Sequence, residues 1–332
     1  MTDPDYAAAC AIVRGADSVI CTSHLNPDAD GIATALALAL ACERLGKPAR
    51  VVLPSPAPRL YAFLPGFARV SAVADAAAAR RQPPCALLIA CDCGDRERLG
   101  AAAALPHQRL LNLDHHASNT RFGDLALVDE EACCSGLVAA RLLEHLGVPL
   151  DRELATLLYA TLVYDTGRFL HPNTTAEAFR FAARLAEAGV DIAAVNRALT
   201  YTRSPRDLGL LKLALERLTI DAEVPGLAGI ALTRAELAAL GEPEEWSEII
   251  EIPRSLADNR IAYLVREPLE GAGARISLRS VPPYDVAAVA AAFGGGGHRQ
   301  AAGATYPGTA AACLAELLPR LRALLADARP AP

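Results

Sequence analysis

Residues 109–116 read Arg-Leu-Leu-Asn-Leu-Asp-His-His, a short apolar run that ends in an acid and two histidines. The same pattern occurs twice upstream: residues 18–22 lead to a polar cluster that begins at His24, and residues 86–91 lead to Asp92. Each apolar run predicts a strand, and helical segments follow the polar residues. Strands that alternate with helices predict an α/β fold with a parallel sheet.

The polar residues at the ends of these strands are expected to meet. In an open parallel sheet the carboxyl ends of the strands lie at one edge, where the loops bind ligands. The first cluster contains His24, Asp28 and Asp30, ahead of a helix predicted over residues 32–45. A further acid, Asp165, is predicted at the end of a helix over residues 153–164.

Length indicates two domains, because 332 residues exceed what one small core requires. We predict a doubly wound domain with a mainly parallel sheet over residues 1–195, a linker over 196–208 and a smaller α/β domain with a mixed sheet over 209–330. A cleft is expected between the two domains. In the second domain, strands are predicted at residues 228–232, 260–265 and 274–279, and helices at 234–240, 286–293 and 309–326.

Composition argues against several classes of protein. The net charge is −6 and no segment is strongly basic. Proteins that bind long nucleic acids normally have such basic segments, which contact the phosphates. Nine cysteines without a Cys-x-x-Cys pair argue against a secreted disulfide framework and against structural zinc. No signal peptide is apparent, and the most apolar helix candidate, residues 32–42, is about half as long as a bilayer span. We expect a soluble, cytoplasmic protein.

The polar clusters together predict a metal centre. Imidazole and carboxylate ligands suit Mn²⁺ or Mg²⁺. Taken singly, the aspartates have simpler interpretations as helix caps or turn residues. Taken together, two histidines and four aspartates supply ligands for two ions about 3.5–4 Å apart, with one carboxylate between them. Such a pair activates water and holds a phosphate ester, which predicts metal-dependent phosphoester hydrolysis. The six residues are His24, Asp28, Asp30, Asp92, His115 and Asp165.

A glycine-rich segment predicts a phosphate site in the second domain. Four glycines, Gly294 to Gly297, precede His298 and Arg299, and we expect a loop that runs into a helix-like segment over residues 300–303. Glycines let backbone N–H groups approach an anion closely, and a helix start favours negative charge. A flexible linker is the alternative interpretation.

These motifs resemble those of DHH phosphoesterases with a DHH-associated C-terminal domain, of the nano-RNase type. The resemblance extends from Ser23 to Gly303 and is most specific where Asp114-His115-His116 is combined with residues 277–280 and 293–303. It implies a catalytic DHH domain followed by a substrate-binding domain. The implied activity is manganese-dependent hydrolysis of short oligonucleotides, such as nanoRNA, pApA or pGpG, to mononucleotides by a hydroxide that two metal ions activate. Conversion of 3′-phosphoadenosine 5′-phosphate (PAP) to AMP is a second candidate activity.

The resemblance also implies a role for each residue. His24 and Asp28 would bind the first ion, Asp30, His115 and Asp165 the second, and Asp92 would bridge both. Asp114 would orient His115, and His116 would contact the scissile phosphate and assist the leaving group, which makes His116 and Asp92 the expected catalytic residues. The expected substrate contacts are Arg279, Gly295, Gly296, Gly297, His298 and Arg299. Two Mn²⁺ ions are the implied cofactors, with Mg²⁺ or Co²⁺ as substitutes, and a homodimer is left open.

Two other functions stay open. Residues 28–32 are closer to RecJ-type exonucleases than to nano-RNases, so a single-strand exonuclease is the first alternative. It is disfavoured because residues 221–330 carry 10 Lys plus Arg against 14 Asp plus Glu. The second is a non-catalytic nucleotide-binding regulator, for which a degraded metal site is expected, yet every ligand position is filled.

Overall fold

A six-stranded parallel sheet organises the first part of the chain. The structure, a computed structural model, describes residues 3–201, 204–240 and 247–327, and the chain divides into two compact units, residues 1–202 and 203–332. The strands of the first unit are β1 (Val19–Thr22), β2 (Ala49–Leu53), β3 (Val70–Ala72), β4 (Cys85–Cys91), β5 (His107–Asp114) and β6 (Leu125–Val128). They lie in the order β3-β2-β1-β4-β5-β6, and every neighbouring pair is parallel. The order reverses between β1 and β4, which is the topological switch point of a doubly wound sheet.

Helices pack on both faces of this sheet. They are α1 (Asp3–Gly15), α2 (Ala29–Arg44), α3 (Ala76–Arg80), α4 (Ser135–Leu146), α5 (Arg152–Asp165), α6 (Ala176–Glu187) and α7 (Ile192–Thr200), with 3-10 helices at Arg59–Tyr61, Phe67–Arg69 and Glu97–Ala104. Successive residues of β4 point to opposite faces, so Leu87 and Ile89 join one core while Leu88 and Ala90 join the other with Leu99. Because helices cover both faces of the sheet, the sequence of β4 is continuously apolar.

Helix α2 presents the first polar cluster at a fixed place. Its cap is Asp28, whose side chain accepts hydrogen bonds from the backbone N–H groups of Asp30 and Gly31. Of its 16 residues 13 are buried, and α4 and α5 pack against it. The many alanines of α2 permit this close packing, so the acids that follow β1 stand on a rigid helix.

A mixed sheet organises the second unit. Its strands are β7 (Leu218–Ile220), β8 (Leu227–Leu232), β9 (Ile261–Arg266), β10 (Ala274–Ser280), β11 (Gly296–His298) and β12 (Ala301–Tyr306), in the order β11-β12-β10-β9-β8-β7. Only β8 and β9 pair in parallel within this sheet as described. Its helices are α8 (Pro205–Glu216), α9 (Arg234–Leu240), α10 (Ser247–Arg254), α11 (Val286–Ala291) and α12 (Ala310–Asp327). The predicted α/β class, with a parallel sheet first and a mixed sheet second, is confirmed.

The predicted helix-like segment at residues 300–303 is wrong. Residues from Ala301 onward form β12, which pairs with β10 on one side and with β11 on the other. A Cβ atom on Gly295 would lie 2.1 Å from the carbonyl oxygen of Gly303, so glycine is required for the close approach of these segments. Pairing with β10 overrides the helix propensity of the alanines, so residues 300–303 provide no helix start that would favour an anion.

The predicted linker, residues 196–208, is largely helical where the structure describes it. Helix α7 continues to Thr200, and α8 begins at Pro205. Ser204 and Asp207 form a reciprocal capping box at the start of α8. The linker over residues 196–208 stays a prediction. The domain limits 1–195 and 209–330, and the cleft between the domains, stay predictions.

All nine cysteines are buried free thiols, including Cys91, the last residue of β4. They contribute to the packing of the hydrophobic cores. Among the described residues, no helix combines the length and the hydropathy needed to cross a membrane.

Candidate metal centre

The carboxyl edge of the first sheet brings the predicted ligands together. The segment after β1 supplies His24, Asp28 and Asp30, β4 is followed by Asp92, and α5 ends at Asp165. His115 follows the end of β5. Since β1 and β4 flank the switch point, their loops diverge to opposite faces and leave a space between them for a ligand. His24, Asp30 and Asp92 are buried.

His24, Asp28 and Asp92 form the first group of ligand atoms. His24 Nε2 lies 3.4 Å from Asp92 Oδ2 and 3.8 Å from Asp28 Oδ2. The other ring nitrogen, Nδ1, donates to the carbonyl oxygen of Leu25 at 2.8 Å. This bond holds the tautomer in which neutral His24 presents the Nε2 lone pair to a metal ion.

His115, Asp30 and Asp165 form the second group. His115 Nε2 lies 3.0 Å from Asp165 Oδ2 and 3.8 Å from Asp30 Oδ2. Its Nδ1 lies 3.2 Å from the carbonyl oxygen of Ala132. In each of the two groups the ligand atoms lie within 4.8 Å of one another, so one ion can touch all three side chains.

Asp92 lies between the two groups. Its Oδ2 faces His24, and its Oδ1 lies 3.7 Å from His115 Nε2. The residue adopts φ of 55°, in the left-handed region, which costs a residue with a Cβ atom about 1–2 kcal/mol. Such strain persists where the surrounding structure holds it and is concentrated at functional sites. One carboxylate is therefore placed to serve two ions.

The electrostatics of this site favour cations. Burial and the charge of Asp92 raise the pKa of Asp28 to about 6 and that of Asp30 well above its ordinary value. Burial opposes protonation of His115, but Asp165 and the other carboxylates outweigh it and raise the pKa of His115 to about 10. Burial alone would raise the pKa of Asp92. The hydrogen bond from His24 and the charge of the nearby imidazoles outweigh burial and lower this pKa to about 2. Buried carboxylates need positive charge nearby, so this donor set fits divalent ions that replace the protons.

Helix α4 contributes groups that the sequence patterns did not reveal. The backbone N–H groups of Ser135 and Gly136, in its first turn, donate to the two oxygens of Asp30 at 2.7 and 3.2 Å. The hydroxyl of Ser135 donates to Asp92 Oδ1 at 3.1 Å. The start of α4 thus orients both an acid of the second group, Asp30, and the acid between the groups, Asp92. The available signal was Ser135-Gly136 directly before a long apolar helical segment.

The side chain of Asp114 contacts both of the histidines that follow it in sequence. Its Oδ1 accepts from His116 Nδ1 at 2.7 Å and from the backbone N–H of His115 at 2.8 Å. The ring of His115 is instead oriented by the carbonyl oxygen of Ala132. Asp114 therefore contacts His115 through the backbone N–H of His115 and the ring of His116 directly, because Asp114 ends a strand and its side chain faces the ring two residues further on. Its expected role in orienting His115 stays a prediction. His116 stays partly exposed, with 37% of its side chain accessible.

The residues expected to bind phosphate lie in strands of the second sheet or directly next to them, as Gly295 and Arg299 do. Arg279 belongs to β10, and burial lowers the pKa of its guanidinium. Gly296, Gly297 and His298 form the exposed edge strand β11, and Arg299 pairs with Asp285 at 3.2 Å. Their role toward a substrate stays a prediction.

Comparison with known proteins gives three consistent likenesses. A model described as the DHH family, N-terminal domain, matches residues 18–162, and one described as the DHHA1 domain matches residues 235–327. The bifunctional oligoribonuclease and PAP phosphatase NrnA of Thermus thermophilus is 31% identical over 287 residues, which cover 86% of this chain and 83% of that protein.

Two solved structures share the fold. An exopolyphosphatase-related protein from Bacteroides fragilis has a TM-score of 0.86, with 23% identity over 98% of both chains. RecJ of Thermus thermophilus, solved in complex with Mn²⁺, has a TM-score of 0.52 and 18% identity over 98% of this chain and 55% of RecJ.

Proposed function

The chain belongs to the DHH family, and on that basis we propose that it is a phosphodiesterase that hydrolyses short oligonucleotides to mononucleotides. The observation that carries the proposal is the position of Asp92, whose two oxygens face the two separate groups of ligand atoms. Two divalent ions held there would lower the pKa of a shared water and neutralise the oxygens of a phosphate ester.

The protein groups have distinct tasks in this proposal. His24 and Asp28 would hold one ion, Asp30, His115 and Asp165 would hold the other, and Asp92 would be a ligand of both. His116, which is partly exposed, contacts the scissile phosphate and, when both ring nitrogens are protonated, delivers the Nε2 proton to the leaving oxygen. The hydrogen bond to Asp114 raises the pKa of His116, which favours this doubly protonated ring. Asp114 fixes the orientation of the His116 ring through its Nδ1 proton.

Manganese is the proposed ion. Each group combines one imidazole nitrogen with carboxylate oxygens. Mn²⁺ accepts such a mixed set of ligands, whereas Mg²⁺ prefers oxygen ligands. The RecJ structure that shares the fold was solved with Mn²⁺. Mg²⁺ and Co²⁺ are the proposed substitutes.

Short substrates are favoured over long ones. The relative with 31% identity is named for activity on oligoribonucleotides and PAP, and both carry few phosphates. The acidic balance of residues 221–330 disfavours a long polyanion, because each contacted phosphate needs a basic partner. We propose Arg279, Gly295 to Gly297, His298 and Arg299 as the groups that bind the terminal phosphate. A cytoplasmic location and a homodimer stay predictions.

One experiment separates the candidate functions. Purified protein with Mn²⁺ is incubated with dinucleotides, longer single strands and PAP, and the products are resolved by chromatography. Rapid turnover of dinucleotides supports the proposal, whereas preference for long strands with a steep salt dependence supports a RecJ-type exonuclease. No turnover of any substrate, with nucleotide binding retained, supports the regulator.

Two variants test the metal centre in the same assay. Asp92→Ala removes the shared ligand and His115→Ala removes a ligand of the second group. We expect both to abolish turnover in the presence of Mn²⁺. Activity retained in either variant contradicts the two-ion arrangement.

A further inference from the structure

The side chain of Asn119 begins a series of hydrogen bonds that ends at His116. Asn119 Nδ2 lies 2.5 Å from Asp114 Oδ2, the oxygen of Asp114 that does not contact His116. Asp114 Oδ1 accepts from His116 Nδ1 at 2.7 Å and from the backbone N–H of His115 at 2.8 Å. Asp114 is fully buried, so protein donors alone determine how its carboxylate is turned.

The orientation of the Asn119 amide is itself well determined. Its nitrogen faces three acceptors: Asp114 Oδ2, Asn112 Oδ1 at 2.9 Å and the carbonyl oxygen of Cys93 at 3.1 Å. Its oxygen accepts from the backbone N–H of Arg121 at 2.5 Å. If the amide were flipped, its oxygen would face these three acceptor oxygens and form no hydrogen bond with them. Only one orientation of the Asn119 amide therefore satisfies all of these contacts. The buried Asn112 also donates to the carbonyl oxygen of Cys93 at 3.0 Å, which anchors the network to β5.

These contacts determine which atom is the donor in the hydrogen bond between His116 Nδ1 and Asp114 Oδ1. Asp114 Oδ1 already accepts from a backbone N–H, and its Oδ2 accepts from an amide, so the carboxylate acts as the acceptor throughout. His116 Nδ1, which also lies 3.5 Å from Asp92 Oδ1, must then carry a proton, and Nε2 is the ring nitrogen left for other contacts.

We propose that Asn119 is a positioning residue, which holds Asp114 so that His116 keeps its Nδ1 proton inward and its Nε2 toward the phosphate. The kinetic part of this inference rests on the proposed function, since it requires that His116 contacts the scissile phosphate. The structural part does not, because the bond between Asp114 and His116 exists without substrate. Asn119 touches none of the proposed metal ligands through its side chain.

Two substitutions separate this role from support of the loop. Asn119→Ala removes every hydrogen bond of the amide. Asn119→Asp keeps the oxygen that accepts from the backbone N–H of Arg121 but replaces the donor with an oxygen that repels Asp114. The matched control is Thr120→Val, because the Thr120 hydroxyl supports the same loop through the carbonyl oxygen of Gly94 at 3.3 Å and does not touch Asp114.

Three measurements are made on each protein: kcat and KM for a dinucleotide with Mn²⁺, the affinity for Mn²⁺ by calorimetry, and the ring N–H signals of metal-free protein by ¹H–¹⁵N NMR. We expect both Asn119 variants to lose about 10- to 100-fold in kcat with KM and Mn²⁺ affinity unchanged. Wild type and Thr120→Val should show a slowly exchanging Nδ1–H of His116, assigned by its loss in His116→Gln. Both Asn119 variants should lose this signal.

The outcomes distinguish the inference from the proposed function. If wild type does not hydrolyse dinucleotides, the proposed function fails, and the NMR comparison still decides the role of Asn119. An unchanged His116 signal in both Asn119 variants overturns the inference, as does an unchanged kcat. A fall in Mn²⁺ affinity equal to the fall in kcat also overturns it, because the effect would then lie in metal binding.

Discussion

The hydroxyl of Ser135 donates a hydrogen bond of 3.1 Å to Asp92 Oδ1, the oxygen that faces His115. Both residues are buried, and the backbone N–H of Ser135 also donates to Asp30. A residue outside the ligand set therefore orients two of the proposed ligands.

Replacing Ser135 by alanine should weaken Mn²⁺ binding. Asp92 loses the donor that sets its orientation, whereas the backbone bond to Asp30 remains, so we expect a loss of about 10- to 100-fold in affinity. Isothermal titration calorimetry measures it. Ser71→Ala is the control, because the Ser71 hydroxyl donates to the carbonyl oxygen of Val51 within the sheet. Equal affinity of Ser135→Ala and wild type would contradict the prediction.

The left-handed backbone of Asp92 should appear in the stability of its variants. Glycine adopts φ of 55° without strain and asparagine tolerates it, whereas alanine does not. We expect Asp92→Gly to exceed Asp92→Ala by about 1 kcal/mol in free energy of unfolding, with Asp92→Asn between them. Urea denaturation of the metal-free proteins checks this order. All three variants should lack turnover, so the stability order is independent of activity.

Binding of Mn²⁺ should strengthen as the pH rises. In the metal-free protein His115 has its pKa raised to about 10 and is protonated at neutral pH, yet it must lose that proton to become a ligand. For each proton released on binding, the apparent affinity for Mn²⁺ rises by up to about tenfold per pH unit. We expect this rise over roughly pH 6 to 9. Calorimetry in buffers of different ionisation enthalpy measures the released protons. Binding without proton release would show that His115 is not a ligand.

Glu267 should stabilise the second unit in a pH-dependent way. Its carboxylate accepts from the backbone N–H of Arg234 at 2.9 Å and of Ala310 at 2.7 Å, at the starts of α9 and α12. These two bonds lower its pKa. Because the folded pKa is depressed, the contribution is present above the ordinary pKa and disappears as the pH falls through the lowered one.

The corresponding variant is Glu267→Gln. We expect it to lose about 1 kcal/mol of unfolding free energy at neutral pH, and the difference from wild type should vanish in acid. Urea denaturation at several pH values measures this difference. Glu270→Gln is the matched control, since Glu270 is exposed and lies on the same connection between β9 and β10. An equal effect of the two substitutions would contradict the capping role.

Short-range patterns were sufficient for much of the fold and of the metal centre. The apolar runs that end in His24, Asp92 and Asp114 predict parallel strands, and the geometry of such a sheet brings their ends together. Short-range patterns did not predict the structure of residues 300–303. Alanine and glycine carry little side-chain information, so pairing with β10, which is remote in sequence, decides that the segment is a strand.

The pattern of acids and histidines identified the chemistry, because few other arrangements account for six such residues at the ends of consecutive elements. Only the folded chain decided which side chain orients which. Asp114 contacts His116 rather than the ring of His115, and Ser135, 43 residues beyond Asp92 in sequence, reaches Asp92 from the start of α4. Hydrogen bonds depend on positions to within a few tenths of an ångström and on the rotation of each side chain. The order of residues along the chain does not specify these quantities, and packing of the sheet against α2, α4 and α5 does.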